Sequence, residues 1–251
     1  DELGEPIGSM WKRALTPVTN NQTELFDVPM KVFTDGGGEI IYNAKVEHLI
    51  IEDGTVVGVT GAQADGTPVE VRAKNVVLTT GGFGANSAMV IEYNNYWPEI
   101  KSDIGTTNVA STVGEGIDMA LEAGAALTGM EFSQLMPIGW ADSGQLALGA
   151  GNNVMYVGPD ARRFVNEYAE RDVISKAALG VGGVFYEIKS QSQDVANQLS
   201  RVDDGTGMVF ASDSLEELAG MIGVPAEALV EEVEKYNGYV ATAEDPEYGK
   251  N

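Results

Sequence analysis

The chain has 251 residues, 43% of them hydrophobic, which is enough for one large domain or two smaller ones and argues against global disorder. Its formal net charge of −23 argues against nucleic acid and anionic lipid surfaces as partners, because both repel an acidic surface. The absence of cysteine excludes disulfides and thiolate chemistry, and the absence of any apolar run of about 18 residues excludes a membrane-spanning helix.

The chain opens on a helix and a β region. A short helix ended by residues 36–38 is predicted from TELFDVPMKVFTDGGG, with Pro29 as an obstacle unless it lies in the first turn. Three strands are predicted from EIIYNAKVEHLIIE, TVVGVTGAQA and TPVEVRA, joined at Asp53-Gly54 and Asp65-Gly66, because Asp-Gly between β-branched residues favours hairpins. The single histidine, His48, is expected on a strand face, and without cysteines it cannot build a zinc site. No metal site is predicted.

An apolar strand and a glycine turn follow the β region. The segment NVVLTTGGFGAN predicts a fully apolar strand, typical of the middle of a parallel sheet, that ends in a Thr-Thr-Gly-Gly turn. Glycines in such a turn let the backbone pass close to a ligand or adopt positive φ. The chain contains no G-x-G-x-x-G, so this feature alone favours an α+β domain with a glycine turn over a dinucleotide-binding domain.

The second half of the chain is mainly helical by pattern. Helices are predicted from SAMVIEYNNYW, GEGIDMALEAGAAL and FVNEYAERDVISKAAL, the last with an uncertain start. Ser214 and Glu217 form a capping-box pattern before LEELAGMI. A further helix, PAEALVEEVEKYNGYV, has one apolar stripe and a spacing that allows Glu231 to pair with Lys235. The polar tail at residues 241–251 is expected to be exposed.

The stretch ARRFVNEYAERD raises the question whether its arginines make ordinary ion pairs or take part in chemistry. From local composition alone, Arg171 is an ordinary helix-surface residue within reach of Glu167. Arg163 is expected to pin a turn through a carboxylate such as Glu167, and Arg162 is expected to be solvated.

Five segments together resemble the FAD-dependent fumarate reductase family, which includes flavocytochrome-like and urocanate-reductase-like flavoproteins. In chain order they are NVVLTTGGFGAN, TTNVASTVGEGIDMALEAGAAL, FSQLMPIG, RRFVNEYAERD and LEELAGMIGVPAEALVEEVEKYNGY. The resemblance covers about residues 36–251. It implies an α/β plus α+β fold, with a partial Rossmann-like FAD-binding domain that contains a β-meander at residues 1–105 and an inserted clamp, or capping, domain at 106–240. In that family such a chain is the middle of a longer protein, so a fragment is implied, inactive alone and with weak or no binding of FAD.

The resemblance also implies a reaction and its site residues. In the family, reduced FAD gives hydride to one carbon of an alkene, and the arginine eight residues after the Arg of RFVNE gives the proton; here that position is Arg171. The implied substrate is an α,β-unsaturated carboxylate. Gln134 and Met136 fall in the substrate-binding element, where Met136 replaces a histidine. Because a thioether donates no hydrogen bond, Met136 implies an apolar wall and a larger, partly apolar enoate instead of fumarate. The family's relay glutamate and arginine should fall around Ala147 and Ala150, and neither is present.

FAD is the cofactor that the resemblance implies, and its expected contacts fall in three places. These are Val46 for the adenine, Thr80 and Gly81 for the adenosine, and Gly114, Glu115 and Gly116 for the isoalloxazine side, where Glu replaces the family's Asp. Each position also has an ordinary structural explanation, as strand core or as a turn glycine. The electron donor and the cellular compartment stay open.

Two alternatives remain beside this interpretation. The first is a non-catalytic acidic interaction domain on the clamp scaffold, which the loss of the histidine and of the relay residues favours. The second is a flavin dehydrogenase of the 3-ketosteroid dehydrogenase branch, which resembles the same pattern. That branch carries a tyrosine at the position of Arg171, so the arginine favours a reductase of carboxylate-bearing alkenes.

Overall fold

The computed structural model describes residues 23–145, 147, 154–190, 202 and 206–250. The described chain forms two compact units that alternate along the sequence. The first unit contains residues 23–98 and 108–133, and the second contains residues 99–107 and 134–250. The functional division into flavin and clamp domains near residue 105 stays a prediction, because compactness alone does not define a functional domain.

The first unit is built on a three-stranded antiparallel meander in the order β1-β2-β3. Its strands are β1 (Ala44–Glu52), β2 (Thr55–Gln63) and β3 (Pro68–Arg72). The three predicted strands and both Asp-Gly connections are therefore confirmed. Asp53 and Gly54 have φ values of 50° and 76°, as a type I′ turn requires, and this turn matches the twist of the flanking strands.

Three helices of the first unit lie among the described residues: α1 (Glu24–Asp35), α2 (Ser87–Tyr93) and α3 (Glu115–Glu122). Helix α1 continues through Pro29, which lies beyond its first turn, and none of its residues is buried. Helix α2 is capped by Asn86, the residue before its first turn, whose side-chain oxygen accepts a hydrogen bond from the Met89 amide at 3.1 Å. Helix α3 ends before Gly124, so the predicted helix is confirmed but shorter than its apolar pattern.

The apolar segment at residues 76–78 is not a strand, which corrects the prediction of a parallel central strand. Val77 is 81% exposed, and the segment has no paired neighbour within the described chain. A central strand is stable only when strands on both sides satisfy its backbone groups. Both sheets of the described chain are small and antiparallel, and neither includes residues 76–78. The apolar pattern of this segment is typical of a central strand, but the described chain supplies no neighbouring strands to pair with it.

The second unit packs helices on a two-stranded sheet. Its elements are β4 (Val154–Val157), α4 (Arg171–Gly180), β5 (Tyr186–Lys189), α5 (Leu215–Ile222) and α6 (Ala226–Thr242). All four side chains of β4 are buried, and alternate ones face opposite sides, as in any strand. Met155 and Val157 pack with α5 and α6, whereas Val154 and Tyr156 pack with Val165 and Ile174. No helix of the described chain could span a bilayer.

Helices α5 and α6 follow the predicted signals with one exception. The Ser214 hydroxyl accepts a hydrogen bond from the Glu217 amide at 3.1 Å, which confirms the cap. The predicted pair between Glu231 and Lys235 is wrong. Lys235 lies 2.9 Å from the buried carboxylate of Glu232, and Glu231 binds Arg162 at 2.6 Å.

The helix predicted from FVNEYAERDVISKAAL begins only at Arg171. Residues 164–170 are irregular, and their polar side chains bind backbone amides both within the segment and in β4. The Asn166 side chain accepts from the Tyr168 amide at 2.8 Å, and that of Glu167 accepts from the Tyr156 amide at 3.1 Å. This irregular segment leads directly into the candidate site.

Candidate active site

A small concave surface of the second unit, here called the Arg171 pocket, brings two of the predicted site residues together. Its lining consists of Met136, Pro137, Ile138, Tyr156, Glu167, Arg171 and Ile174. Most of this lining is apolar, and Arg171 and Glu167 are its charged members. Gln134 is exposed and is not part of the lining, so the structure joins Met136 but not Gln134 to Arg171.

Arg171 is the first residue of α4 and is half-buried. Its guanidinium makes no hydrogen bond or ion pair with any residue that the structure describes, so the surface pair expected with Glu167 does not form. A guanidinium carries a permanent charge and a planar set of donors that match a carboxylate. At the wall of a mostly apolar pocket, this group is suited to binding one organic carboxylate.

Glu167 is fully buried and is held by other groups. Arg163 donates to both carboxylate oxygens of Glu167, each at 3.0 Å, which confirms the predicted pinning by Arg163. The Tyr156 amide donates to Oε1 at 3.1 Å, and the ammonium of Lys250 lies 3.3 Å from Oε2. Both carboxylate oxygens of Glu167 therefore already have donors.

Arg163 also connects Glu167, which lines the pocket, to Asp245, which does not. Its side chain is fully buried, binds Asp245 at 2.9 Å and lies between the rings of Tyr236 and Tyr248, with centroids at 4.8 and 5.0 Å. Burial alone would lower the pKa of Arg163, but hydrogen bonds from its guanidinium to Glu167 and Asp245 outweigh burial and raise that pKa. Arg163 is therefore a permanently charged structural centre. Arg162 is less solvated than expected, since it pairs with Glu231 and with buried Glu232.

The C-terminal tail is exposed only in part, which corrects its prediction as an exposed segment. The side chains of Asp245 and Lys250 are 4% and 8% exposed. Lys250 donates to the Val154 carbonyl at 2.6 Å and to the Tyr236 hydroxyl at 2.7 Å. The Tyr248 hydroxyl donates to the Arg163 carbonyl at 2.9 Å. The tail therefore packs on the segment that carries Glu167.

Sequence reasoning missed Tyr156 and Lys250. Tyr156 lines the pocket from β4, and its hydroxyl is buried without a hydrogen-bond partner in the described chain. Burial raises the pKa of that hydroxyl, with smaller contributions from Glu187 and Glu167, so it stays protonated. Tyr156 lies in the apolar segment VMYV, which is typical of a core strand, and Lys250 lies in a polar tail, which is typical of an exposed segment. Neither pattern indicated that these residues belong to a site.

The residues predicted to contact FAD lie in the first unit. Those of the glycine turn lie next to those at the start of α3. The Gly114 amide donates to the Gly82 carbonyl at 3.1 Å, which joins the start of α3 to the glycine turn. A Cβ atom at Gly116 would overlap the Thr80 side chain. Glu115 pairs with Lys45 at 2.8 Å and so ties α3 to β1 beside Val46.

This arrangement fits the expected cofactor. Gly81 and Gly114 have φ values of 80° and 93°, which only glycine adopts easily. A Cβ at Gly82 would meet no atom within 4 Å, so open space lies in front of the turn and a ligand can approach its backbone.

His48 lies on the face of β1 and binds Glu122 at 3.1 Å. The described residues contain no cluster of His, Cys, Asp and Glu that could hold a metal ion.

Comparison with known proteins gives one consistent picture. The family model described as "FAD binding domain" matches residues 8–251. The chain is 39% identical to the NADH:acrylate oxidoreductase of Vibrio harveyi over 98% of this chain and 25% of the relative. It is 35% identical to the fumarate reductase (cytochrome) of Shewanella frigidimarina over 81% of this chain and 35% of the relative. The open conformation of a flavocytochrome c3 fumarate reductase superposes with a TM-score of 0.74 at 28% identity, covering 100% of this chain and 44% of that one. The chain thus spans a quarter to under half of the length of these proteins.

Proposed function

Because the chain belongs to the FAD binding domain family, whose cofactor is FAD, we propose that it is part of a longer flavin-dependent oxidoreductase that reduces the C=C bond of an α,β-unsaturated carboxylate. One observation carries this proposal: the guanidinium of Arg171, which pairs with no residue of the described chain, shares a mostly apolar pocket with Met136. Residues 1–105 belong to the flavin domain in this proposal, and residues 106–240 form the clamp. Relatives whose names specify acrylate or fumarate as substrate support the reaction class.

The first unit contributes contacts to FAD. Val46, Thr80 and Gly81 would hold the adenosine part, and residues 114–116 would contact the isoalloxazine side. Bound FAD, once reduced by an electron donor, would supply the hydride that a C=C reduction requires. The chain's own contribution is the shape of the two turns. Gly81 and Gly114 have positive φ values and no side chain, so the backbone of each turn stays accessible to a ligand.

Arg171 has two roles in the second unit. Its permanent charge binds the substrate carboxylate and stabilises the enolate-like charge that develops next to it. Its guanidinium also holds the proton that the alkene carbon receives, and it regains a proton from solvent. Glu167 is a poor relay for that proton, because Arg163 and Lys250 hold its oxygens.

Met136 selects the size and polarity of the substrate. It lines the pocket with Ile138 and Ile174, so the part of the substrate beyond the carboxylate meets apolar groups. A second carboxylate would lose its hydration there, and beside Arg171 the described lining offers it only the Tyr156 hydroxyl as a side-chain donor, so its burial is costly. The preferred substrate is therefore a monocarboxylic enoate, acrylate or a larger apolar derivative, and Gln134 contributes at most at the rim.

A non-catalytic acidic interaction domain is the main alternative. The absence of the family's relay glutamate at Ala147 favours it; the second relay position, Ala150, lies outside the described residues. Arg171 argues against it, because a half-buried guanidinium in an apolar wall, with no partner among the described residues, gains little for stability and is suited to binding an anion. A steroid dehydrogenase is distinguished by whether the protein desaturates a saturated substrate in the presence of an acceptor dye.

The test is substitution of Arg171 in the intact, FAD-containing protein. Arg171→Ala should lower alkene-dependent reoxidation of reduced flavin by about 10²–10⁴-fold, the usual contribution of a general acid, and Arg171→Lys should retain part of the rate. Lys176→Ala, an exposed position on the same helix, is the control. Unchanged turnover in Arg171→Ala would remove this residue from the mechanism, and wild-type protein that reduces no enoate would favour the interaction domain.

A further inference from the structure

Glu167 and Arg171 line the same pocket and lie four residues apart, yet they do not pair. A desolvated carboxylate next to a guanidinium normally forms a strong bidentate pair. Here Arg163 donates to both oxygens of Glu167, and the ammonium of Lys250 lies 3.3 Å from Oε2. Glu167 is therefore a carboxylate in the wall of the pocket that two other cations bind and that does not pair with Arg171.

Lys250 is fixed in its place by several contacts. Its side chain is only 8% exposed, and its ammonium donates to the Val154 carbonyl at 2.6 Å and to the Tyr236 hydroxyl at 2.7 Å. The ammonium also lies 5.4 Å from the ring centroid of Tyr168 and 5.1 Å from that of Tyr236, within the range of cation–π attraction. These contacts keep the charge of Lys250 beside Glu167 and away from water.

The charges around the pocket show why this matters for an anionic ligand. Lys250 supplies one of the two positive charges that contact Glu167, the other being Arg163. Removing its ammonium lowers the charge beside the pocket by one unit. Since most of these side chains are buried, solvent screens them weakly and one unit of charge affects the pocket strongly.

We propose that Lys250 is a positioning residue of the Arg171 pocket, which occupies Glu167 and thereby leaves the guanidinium of Arg171 free for an organic carboxylate. This inference rests on the proposed function and adds that the segment containing Lys250, 83 positions after Glu167, contributes to the charge of the site. Loss of the ammonium frees an acceptor on Glu167, which then pairs with Arg171. The pocket then binds a carboxylate less tightly, although every residue of its lining is unchanged.

Equilibrium binding of propionate, a saturated carboxylate, to the intact FAD-containing protein tests this inference by calorimetry. Lys250→Gln keeps a donor for the Val154 carbonyl and removes the charge. It should weaken binding about tenfold, the effect of one unit charge at roughly 10 Å in an effective dielectric of about 20. Lys250→Arg should restore binding, and adding Glu167→Gln to Lys250→Gln should recover most of the loss. Lys176→Gln removes an exposed lysine from α4 and should leave the affinity unchanged.

The outcomes separate this inference from the proposed function. Equal affinity in Lys250→Gln and wild type overturns the inference even when the wild type reduces an enoate. Lys250-dependent binding by a protein that reduces no enoate supports the inference and overturns the function. The result of no binding by the wild type overturns the inference, and overturns the function as well only when the wild type also reduces no enoate. Thermal unfolding of each variant identifies misfolding. If Lys250→Arg loses as much affinity as Lys250→Gln, the role of Lys250 is structural and the inference is wrong.

Discussion

At the residue scale, Asp245 shows how a tail residue stabilises the segment that carries the pocket. Its carboxylate accepts from Arg163 at 2.9 Å and from the amides of Tyr248 and Lys250 at 3.2 Å each. Burial alone would raise the pKa of Asp245, but these hydrogen bonds outweigh burial and lower the pKa to about 2. The ionised form of Asp245 is therefore favoured in the folded state over the unfolded state.

We predict that Asp245→Asn lowers the free energy of unfolding by about 2 kcal/mol at neutral pH. Because the folded-state pKa lies below the unfolded value, this stabilisation is fully present above about pH 4 and is lost as the pH falls through about 2. Urea unfolding of wild type and variant between pH 2 and pH 7 measures it. Asp103→Asn, at an exposed position, is the control, and a difference that does not depend on pH would contradict the assignment.

Met136 gives a second prediction at this scale. Met136→His introduces a hydrogen-bond donor into the pocket, so the ratio of kcat/KM for fumarate to that for acrylate should rise by about 10- to 100-fold, the worth of a hydrogen bond to a charged group. Steady-state kinetics of the intact protein with both substrates measures this ratio. Met136→Leu keeps the wall apolar and should leave the ratio unchanged; a ratio unaffected by histidine would show that Met136 does not contact the second carboxylate.

At the scale of elements, helix ends depend on single side chains, and α5 is the clearest case. The Ser214 hydroxyl satisfies the Glu217 amide at 3.1 Å, and the Glu217 carboxylate accepts from Ser212 at 2.7 Å. Helix α5 supplies buried Ala219 and Ile222 to the core that also packs against β4. By stabilising the first turn of α5, the cap also stabilises the packing of this helix against β4, the strand that carries Tyr156 of the pocket.

We predict that Ser214→Ala lowers the free energy of unfolding by about 1 kcal/mol, because the amide of Glu217 then has no intramolecular acceptor. Thermal and urea unfolding measure the change. Ser214→Asp retains an acceptor and should be close to wild type. If both variants were destabilised equally, the loss would come from the side-chain volume and the capping explanation would be wrong.

At the scale of the whole molecule, the first unit has apolar surface that remains exposed among the described residues. Helix α1 has no buried residue, and Phe26, Val28 and Val32 are each more than two-thirds exposed. Val77 is 81% exposed in a segment whose apolar pattern is typical of a central strand. A folded protein rarely leaves such surfaces in water, so the remainder of a flavin domain in the longer protein is the cover that fits the proposed function.

We predict accordingly that the 251-residue chain alone retains no FAD after desalting, whereas the intact protein retains it. In the proposed function the chain supplies the turn at Thr80 and Gly81, but it contains no G-x-G-x-x-G cradle for a pyrophosphate, so its contacts would cover only part of the cofactor. Absorbance at the flavin bands after gel filtration measures retention. A tightly held flavin with a shifted spectrum on the chain alone would contradict the prediction and the fragment proposal with it.

Short-range features of this protein followed from its sequence. The hairpin at Asp53-Gly54 and the cap at Ser214 depend on neighbours within a few residues, so local chemistry determines them. The family resemblance was also readable, because its segments keep their order along most of the chain, and the family match confirms it. It named Arg171 and Met136, which the structure places in one pocket.

Tertiary structure decided what local patterns left open. Residues 76–78 carry a strand pattern but lack hydrogen-bonding neighbours in the described chain, so they are not a strand. Spacing predicted a pair between Glu167 and Arg171, but Arg163 and Lys250 hold Glu167 instead, and Lys250 lies 83 positions further along the chain. The partner of a charged side chain depends on which groups the fold buries beside it, and spacing along one segment carries no information about a residue so distant in sequence.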